Sequence, residues 1–274
     1  MALGAATPPF AAARAGRGRR PAGDTLEGMI VRTSEELEGL RRVGGLVAET
    51  IRRMREAVRP GVTTGELDLI AARTFHEYGA QSAPMETYGF PGSTCISVNE
   101  QIVHGIPGGR KLKDGDLVTL DVTPELDGWF ADAAVTVPVG TVSPAAQALL
   151  DVADECLAAA LAAIRTGVPL RTIGQAVEET AARRGASPFE ELCGHGIGRA
   201  LHEEPTIPNL DVASLTEPLP EGLVIAVEPM LTMGDPELVE LDDGWTYATV
   251  DGGLSVHVEH TIVVQDGAPI ILTA

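Results

Sequence analysis

Four carboxylates and one imidazole occupy positions from which they could act together. Asp121 follows Leu117–Val118–Thr119–Leu120, and Asp132 follows Trp129–Phe130–Ala131. Glu228 follows Leu223–Val224–Ile225–Ala226–Val227, and Glu259 follows Val256–His257–Val258. Such runs read as strands of high apolar content, where an unpaired carboxylate is costly. Four solvated acids on exposed faces would fit these flanks poorly. His195 lies in Cys193–Gly194–His195–Gly196–Ile197–Gly198. Glycines there let backbone approach a ligand closely, and imidazole is a common metal ligand, although Gly-His-Gly alone is weak and usually just a loop. Together the five groups form a mostly hard-oxygen donor set for two first-row divalent ions. Ions paired about 3.5–4 Å apart can hold a bridging hydroxide, polarise a carbonyl and stabilise a tetrahedral intermediate. His104 and His202 are left beside them as hydrogen-bond donors or proton carriers.

Elements must bring these residues together. The stretch from Leu117 to Asp132 reads as strand, turn, strand, broken by Pro124 and by Asp127–Gly128. A turn symmetric about Leu126 and Asp127 sets Asp121 directly opposite Asp132. Facing Cβ atoms would then lie about 4.5–5.5 Å apart, with a like-charge repulsion that a cation converts into coordination. A shifted register, or one aspartate turned to solvent, is the competing reading. In the strand after Leu254, His257 shares alternation with Ser255 and Glu259 and should face the site, while His260 should face away.

A first helix is expected from an N-cap at Ser34 to about Val58, and a second from about Thr64 to Tyr78 after the break at Pro60–Gly61. His76 on the second helix reads as a surface or packed residue. Ala57–Ala80 then aligns without a gap on Ala163–Ala186, with Ala57/Ala163, Arg59/Arg165, Gly61/Gly167, Val62/Val168, Thr74/Thr180, Gly79/Gly185 and Ala80/Ala186 identical. Each copy follows a long helix, the second starting near Ser143. The correspondence continues downstream, with Gly115 six residues before Asp121 and Gly222 six before Glu228. Each half also carries Asp-Gly-Trp and a histidine ahead of its first strand, His104 or His202. The reading is α+β, two halves related by pseudo-twofold symmetry whose sheets meet at the acidic centre, with an extra hairpin inserted in the second.

Composition bounds the function. The 274 residues carry a formal charge of −19, which argues against a nucleic-acid backbone as principal partner and suits a divalent cation or an amine-bearing substrate. No apolar run is long enough to cross a membrane. Cys95, Cys156 and Cys193 have no paired spacing, pointing to a reduced compartment, and Cys156 is most simply core. Residues 1–28 are rich in Ala, Gly, Pro and Arg and lack the apolar stretch of a secretory signal. They read as a disordered extension, or as sequence ahead of a start at Met29. Residues 29–274 are expected to form one catalytic domain, with halves at about 34–140 and 143–274.

With these residues assembled, the chain resembles the methionine aminopeptidases, in their short bacterial form, of the pita-bread metallopeptidase family. The resemblance covers nearly all of Met29–Ala274. It rests on Tyr88–Pro91, Ser97–Glu100, His104–Pro107, the hairpin with Asp121 and Asp132, Gly194–Gly198, His202–Pro205, Glu228–Met230, Asp243–Trp245 and Glu259–Thr261. It implies a pita-bread fold with an antiparallel sheet core covered by helices. It also implies that Asp121, Asp132, His195, Glu228 and Glu259 ligate two divalent ions (Co, Mn, Fe, Zn or Ni), with Asp132 and Glu259 bridging. Glu228 would shuttle the proton of the bridging water, His104 would contact the scissile-bond nitrogen and His202 would stabilise the oxyanion. Asn99 and Ser255 match positions that help bind a monovalent cation in relatives.

The methionine pocket should include Phe90, Cys95, Leu201 and Trp245, together with His104 and His202. Leu201 stands where Phe is frequent, Thr87 where an aromatic is common, and His257 where Gln is usual. An unexceptional hydrogen bond is the favoured role for His257 over a catalytic one. The implied enzyme removes initiator methionine from nascent polypeptides with a small second residue. It is expected to be cytoplasmic and monomeric, bound to neither nucleic acid nor membrane; a ribosome contact is open, with no basic patch to support it. Two other readings compete. One is an X-Pro dipeptidase or aminopeptidase of the same fold, whose members usually carry a large N-terminal domain that the roughly 33 residues before the first helix cannot supply. The other is a non-catalytic binding module, disfavoured because all five ligands and both histidines are present.

Overall fold

The computed structural model describes residue 26 and residues 28–274. The expectation for the 1–28 extension therefore lies outside the described residues, except at Leu26 and Gly28.

The first helix, Ser34–Ala57, is amphipathic and buries Leu40, Val43, Leu46, Val47, Ile51 and Met54. Its N-cap is Thr33 rather than Ser34: Thr33 Oγ1 accepts from the Glu36 N–H, and the Glu36 carboxylate accepts the Thr33 N–H. The expected start misses by one residue because Ser34 and Thr33 offer the same hydroxyl, and only Thr33 has its glutamate three residues on. Thr33→Ala should cost about 1 kcal/mol, read as a lower urea midpoint with an unchanged m-value. The second helix is Thr64–Tyr78, capped by Thr63 and ended by Gly79. His76 is exposed.

The duplication is real at the level of backbone hydrogen bonds. In the first half Gly61 N–H donates to Leu112 O (2.7 Å) and Leu112 N–H to Val62 O (2.8 Å). In the second, Gly167 N–H donates to Leu219 O and Leu219 N–H to Val168 O, both at 2.8 Å. Isolated bridges join Thr63 to Lys111 and Pro169 to Pro218 at the same places. Farther on, Gly115 N–H meets Val139 O (2.9 Å) and Gly222 N–H meets Val264 O (2.8 Å). The helices of the second pair, Pro144–Ala163 and Arg171–Arg183, pack on each other, as do those of the first. Cys156 lies fully buried on its inner face.

Each half contributes an antiparallel sheet. In the first, Leu117–Val122 lies between Cys95–Val98 and Ala133–Pro138. In the second, Val224–Val227 lies between Cys193–Gly196 and His260–Val263 within a five-stranded sheet. The inserted segment between Glu228 and Glu259 holds the hairpin Leu238–Glu240/Tyr247–Thr249 and the paired strands Met230–Thr232 and Ser255–His257. One apolar core lies under the first helix and the first sheet, and the other lies between the second helix pair and the second sheet.

The halves are sewn together beside the acids. Thr261 Oγ1 accepts the Asp132 N–H (2.8 Å) and donates to the Asp132 carbonyl (2.7 Å). Glu259 N–H donates to Ala134 O (2.9 Å), and Thr136 Oγ1 bonds both the N–H and the carbonyl of His257 (each 2.9 Å).

Candidate active site

The hairpin register differs from the sequence expectation. Asp121 pairs with Ala134, and the inner pairs are Glu125↔Phe130 and Leu126↔Trp129. The turn is therefore Asp127–Gly128, both with positive φ (53° and 77°), the combination a two-residue turn needs if it is to match the strand twist. Centring it on Leu126–Asp127 would have placed an apolar residue in that conformation. Asp132 consequently stands diagonal to Asp121 on the same face, not opposite. Thr123 Oγ1 donates to its Oδ1 at 2.7 Å.

Glu228 and Glu259 each lie one residue beyond the last pair of the second sheet, Val227↔His260. His195 is carried on Cys193–Gly196, where Gly196 admits a neighbouring backbone: a Cβ there would sit 2.0 Å from Glu204 O. His195 Nε2 lies 3.5 Å from Glu228 Oε1.

All five lie in one cavity of about 180 Å³. Asp132, Glu228 and Glu259 are buried, and Asp121 and His195 are open only in part. No lysine or arginine lines the cavity among the described residues. Burial, then the neighbouring Asp132 carboxylate, pushes Asp121 well above the usual range. Burial followed by Asp132 and Glu228 does the same to Glu259, and burial raises Asp132. Glu259 Oε1 is buried with no hydrogen-bond partner among the described residues. Carboxylates crowded with no lysine or arginine beside them, and with an orphaned oxygen among them, fit a divalent cation.

His104 and His202 line the same cavity. Burial and nearby His257 depress His104 to about 3, a hydrogen bond from its ring to the Trp245 backbone working the other way. Surrounding protein, then His195 and His104, lower His202 as well. His202 is nevertheless exposed; with both shifted downward, the two rings are neutral at pH 7 and each carries one N–H. Tyr88 Oη is 2.7 Å from His202 Nδ1. With the phenol donating, the imidazole proton sits on Nε2. Tyr88→Phe should lower kcat about 3- to 10-fold with KM little changed, one hydrogen bond's worth, measured by steady-state kinetics. The partners are 114 residues apart, and no sequence pattern linked them.

Cys95 and Leu201 line the cavity. Cys95 pairs in register with Asp121, and burial followed by that carboxylate drives its thiol well up. Phe90 and Trp245 do not line it: their rings pack edge to face at 5.2 Å, and Trp245 serves His104 through its backbone. Thr87 is exposed and outside the lining. Met230, Tyr247 and Leu238 supply apolar wall that the sequence reading did not name. As expected, His257 faces the cavity and His260 turns away, bonding Thr273 Oγ1 at 2.8 Å. Ser255 Oγ donates to Asn99 O (2.9 Å), so these two residues also meet.

The chain belongs to metallopeptidase family M24, whose family model matches residues 38–266. Within that family its similarity is to the methionine aminopeptidases. It is 39% identical over 245 residues to the Clostridium perfringens methionine aminopeptidase (89% of this chain, 98% of that protein). It is 44% identical over 237 residues to the one from Treponema pallidum (85% and 92%). The crystal structure of methionine aminopeptidase from Rickettsia prowazekii superposes with a TM-score of 0.87 at 35% identity, covering 90% of this chain and 100% of that one. The α+β pita-bread fold is thereby established. An X-Pro aminopeptidase from Thermotoga maritima shares the fold alone, at 21% identity and a TM-score of 0.70, and this chain covers 62% of it.

Proposed function

We propose that this metallopeptidase, a methionyl aminopeptidase, removes the initiator methionine from nascent polypeptides whose second residue is small. The observation that carries the reading is the convergence of Asp121 and Asp132 from one half with His195, Glu228 and Glu259 from the other in one cavity that no lysine or arginine lines among the described residues. Those five residues would hold two divalent ions, with Asp132 and Glu259 shared. Bound there, such ions polarise a carbonyl and make water acidic enough to be nucleophilic near neutral pH.

The chain's own groups do the rest. Glu228 accepts the proton of the attacking water and returns it toward the leaving amine. His104, held neutral by burial, hydrogen-bonds near the scissile nitrogen. His202, oriented by Tyr88, donates Nε2–H to oxygen as negative charge develops. Cys95, Leu201 and the Met230 wall give a flexible thioether side chain an apolar, polarisable surface. Asn99 and Ser255 would hold a monovalent cation. Residues 29–274 would act as one catalytic domain, a cytoplasmic monomer.

Free methionine should be released from Met-Ala-Ser, abolished by chelation and restored by Mn²⁺, Co²⁺ or Fe²⁺. Preferential cleavage of X-Pro peptides would favour the second reading, and no turnover of either with metal bound would leave only a binding role. Identities of 39% and 44% to methionine aminopeptidases, over 89% and 85% of this chain, favour the first.

A further inference from the structure

We propose that His257 is a sixth ligand of this centre, so that each of the two cations is held by one imidazole. The inference rests on the metal-dependent reading above and deepens it.

Two three-donor groups converge in the cavity, each with its ligand atoms within 4.8 Å of one another: Asp132, His195 and Glu259, and Glu228, His257 and Glu259. Glu259 belongs to both and each has one histidine, which is the pattern of two adjacent ions with a shared carboxylate. His257 Nε2 stands 3.5 Å from Glu228 Oε2 and 3.5 Å from Glu259 Oε2. A hydrogen bond would close to about 2.7–3.2 Å. Donors about 2.1 Å from a common tetrahedral ion lie about 3.4 Å from one another. The spacing therefore leaves room for an ion where a direct bond would not.

The ring is aimed at that point by backbone. Met230 pairs with His257 across the strand, and Thr136 Oγ1 clamps its N–H and carbonyl at 2.9 Å each. The side chain is 3% exposed, and neither ring nitrogen has a hydrogen-bond partner among the described residues. An imidazole left buried and unsatisfied is costly, and a cation at Nε2 removes part of that cost. A second imidazole also changes what the site selects. Nitrogen donors suit Fe, Co, Ni and Zn, whereas an oxygen-only position suits Mn or Mg.

The test uses the full chain loaded with two equivalents of Co²⁺ or Zn²⁺. Proton NMR of the Co²⁺ form should show two hyperfine-shifted exchangeable imidazole N–H signals, and Zn X-ray absorption should count two imidazoles per ion pair. His257→Gln should retain one of each, and calorimetry should show one ion bound about 10-fold more weakly. One imidazole per pair in the wild type overturns the proposal while leaving the aminopeptidase reading intact, and it does so without any variant. Full loading with an unchanged imidazole count in His257→Gln overturns it equally. Failure to bind any divalent ion overturns both.

Discussion

His195→Ala should lower kcat/KM on Met-Ala-Ser by about three orders of magnitude, the loss of several kcal/mol of charge stabilisation that a divalent ion supplies. His195 belongs to one of the two donor triples and lies 3.5 Å from Glu228, so its removal takes away the only nitrogen donor of that triple. The fold should survive. The strand holding residue 195 is kept by the backbone pairs Ala226↔His195 and Ile225↔Gly196, which do not use the side chain. Thermal melts in chelator should therefore match the wild type while turnover collapses. Turnover retained within 10-fold would be incompatible with the proposed centre.

Asp121→Asn should do the opposite to stability. In chelator at pH 7.5 the variant should melt about 2–6 °C higher than wild type, since an amide relieves a repelling buried charge by about 1–2 kcal/mol. The sign follows from the direction of the shift. Asp121 has a folded pKa raised above its unfolded one, so the penalty is absent below the unfolded pKa, near 4. It grows as pH rises through the folded value. The advantage of Asn should accordingly shrink between pH 7.5 and pH 5. Adding divalent metal should reverse the order, because only the wild type gains the full binding free energy. A wild type that melts above Asp121→Asn in chelator at pH 7.5 would rule out mutual repulsion as the tension in this site.

Much of this was legible in the chain. The five residues that meet in the cavity stood out because acids in apolar strands have few inexpensive explanations, and the repeat from Ala57 to Ala80 located both helix pairs. The misses share a physical origin. Ser34 and Thr33 are chemically alike, and the hairpin centre depended on which residue accepts a positive φ. Each choice was settled by one local interaction. Phe90 and Trp245, placed in the methionine pocket by family resemblance, pack ring on ring beside His104, which Trp245 reaches through its backbone. Tyr88 with His202, and Thr261 with Asp132, are contacts across more than a hundred residues, which periodicity cannot foresee.

The stitching of Asp132 to Thr261 and of Thr136 to His257 has a kinetic corollary. The triple of Asp132, His195 and Glu259 spans the two halves, and that of Glu228, His257 and Glu259, though wholly in the second, has the backbone of its histidine held by Thr136 of the first. An ion cannot template the nascent chain as it does in a zinc finger. It must wait until the long-range pairing is finished, itself the slow stage of folding. Refolding rates should thus be indifferent to added divalent ion, and only the unfolding of the finished molecule should slow.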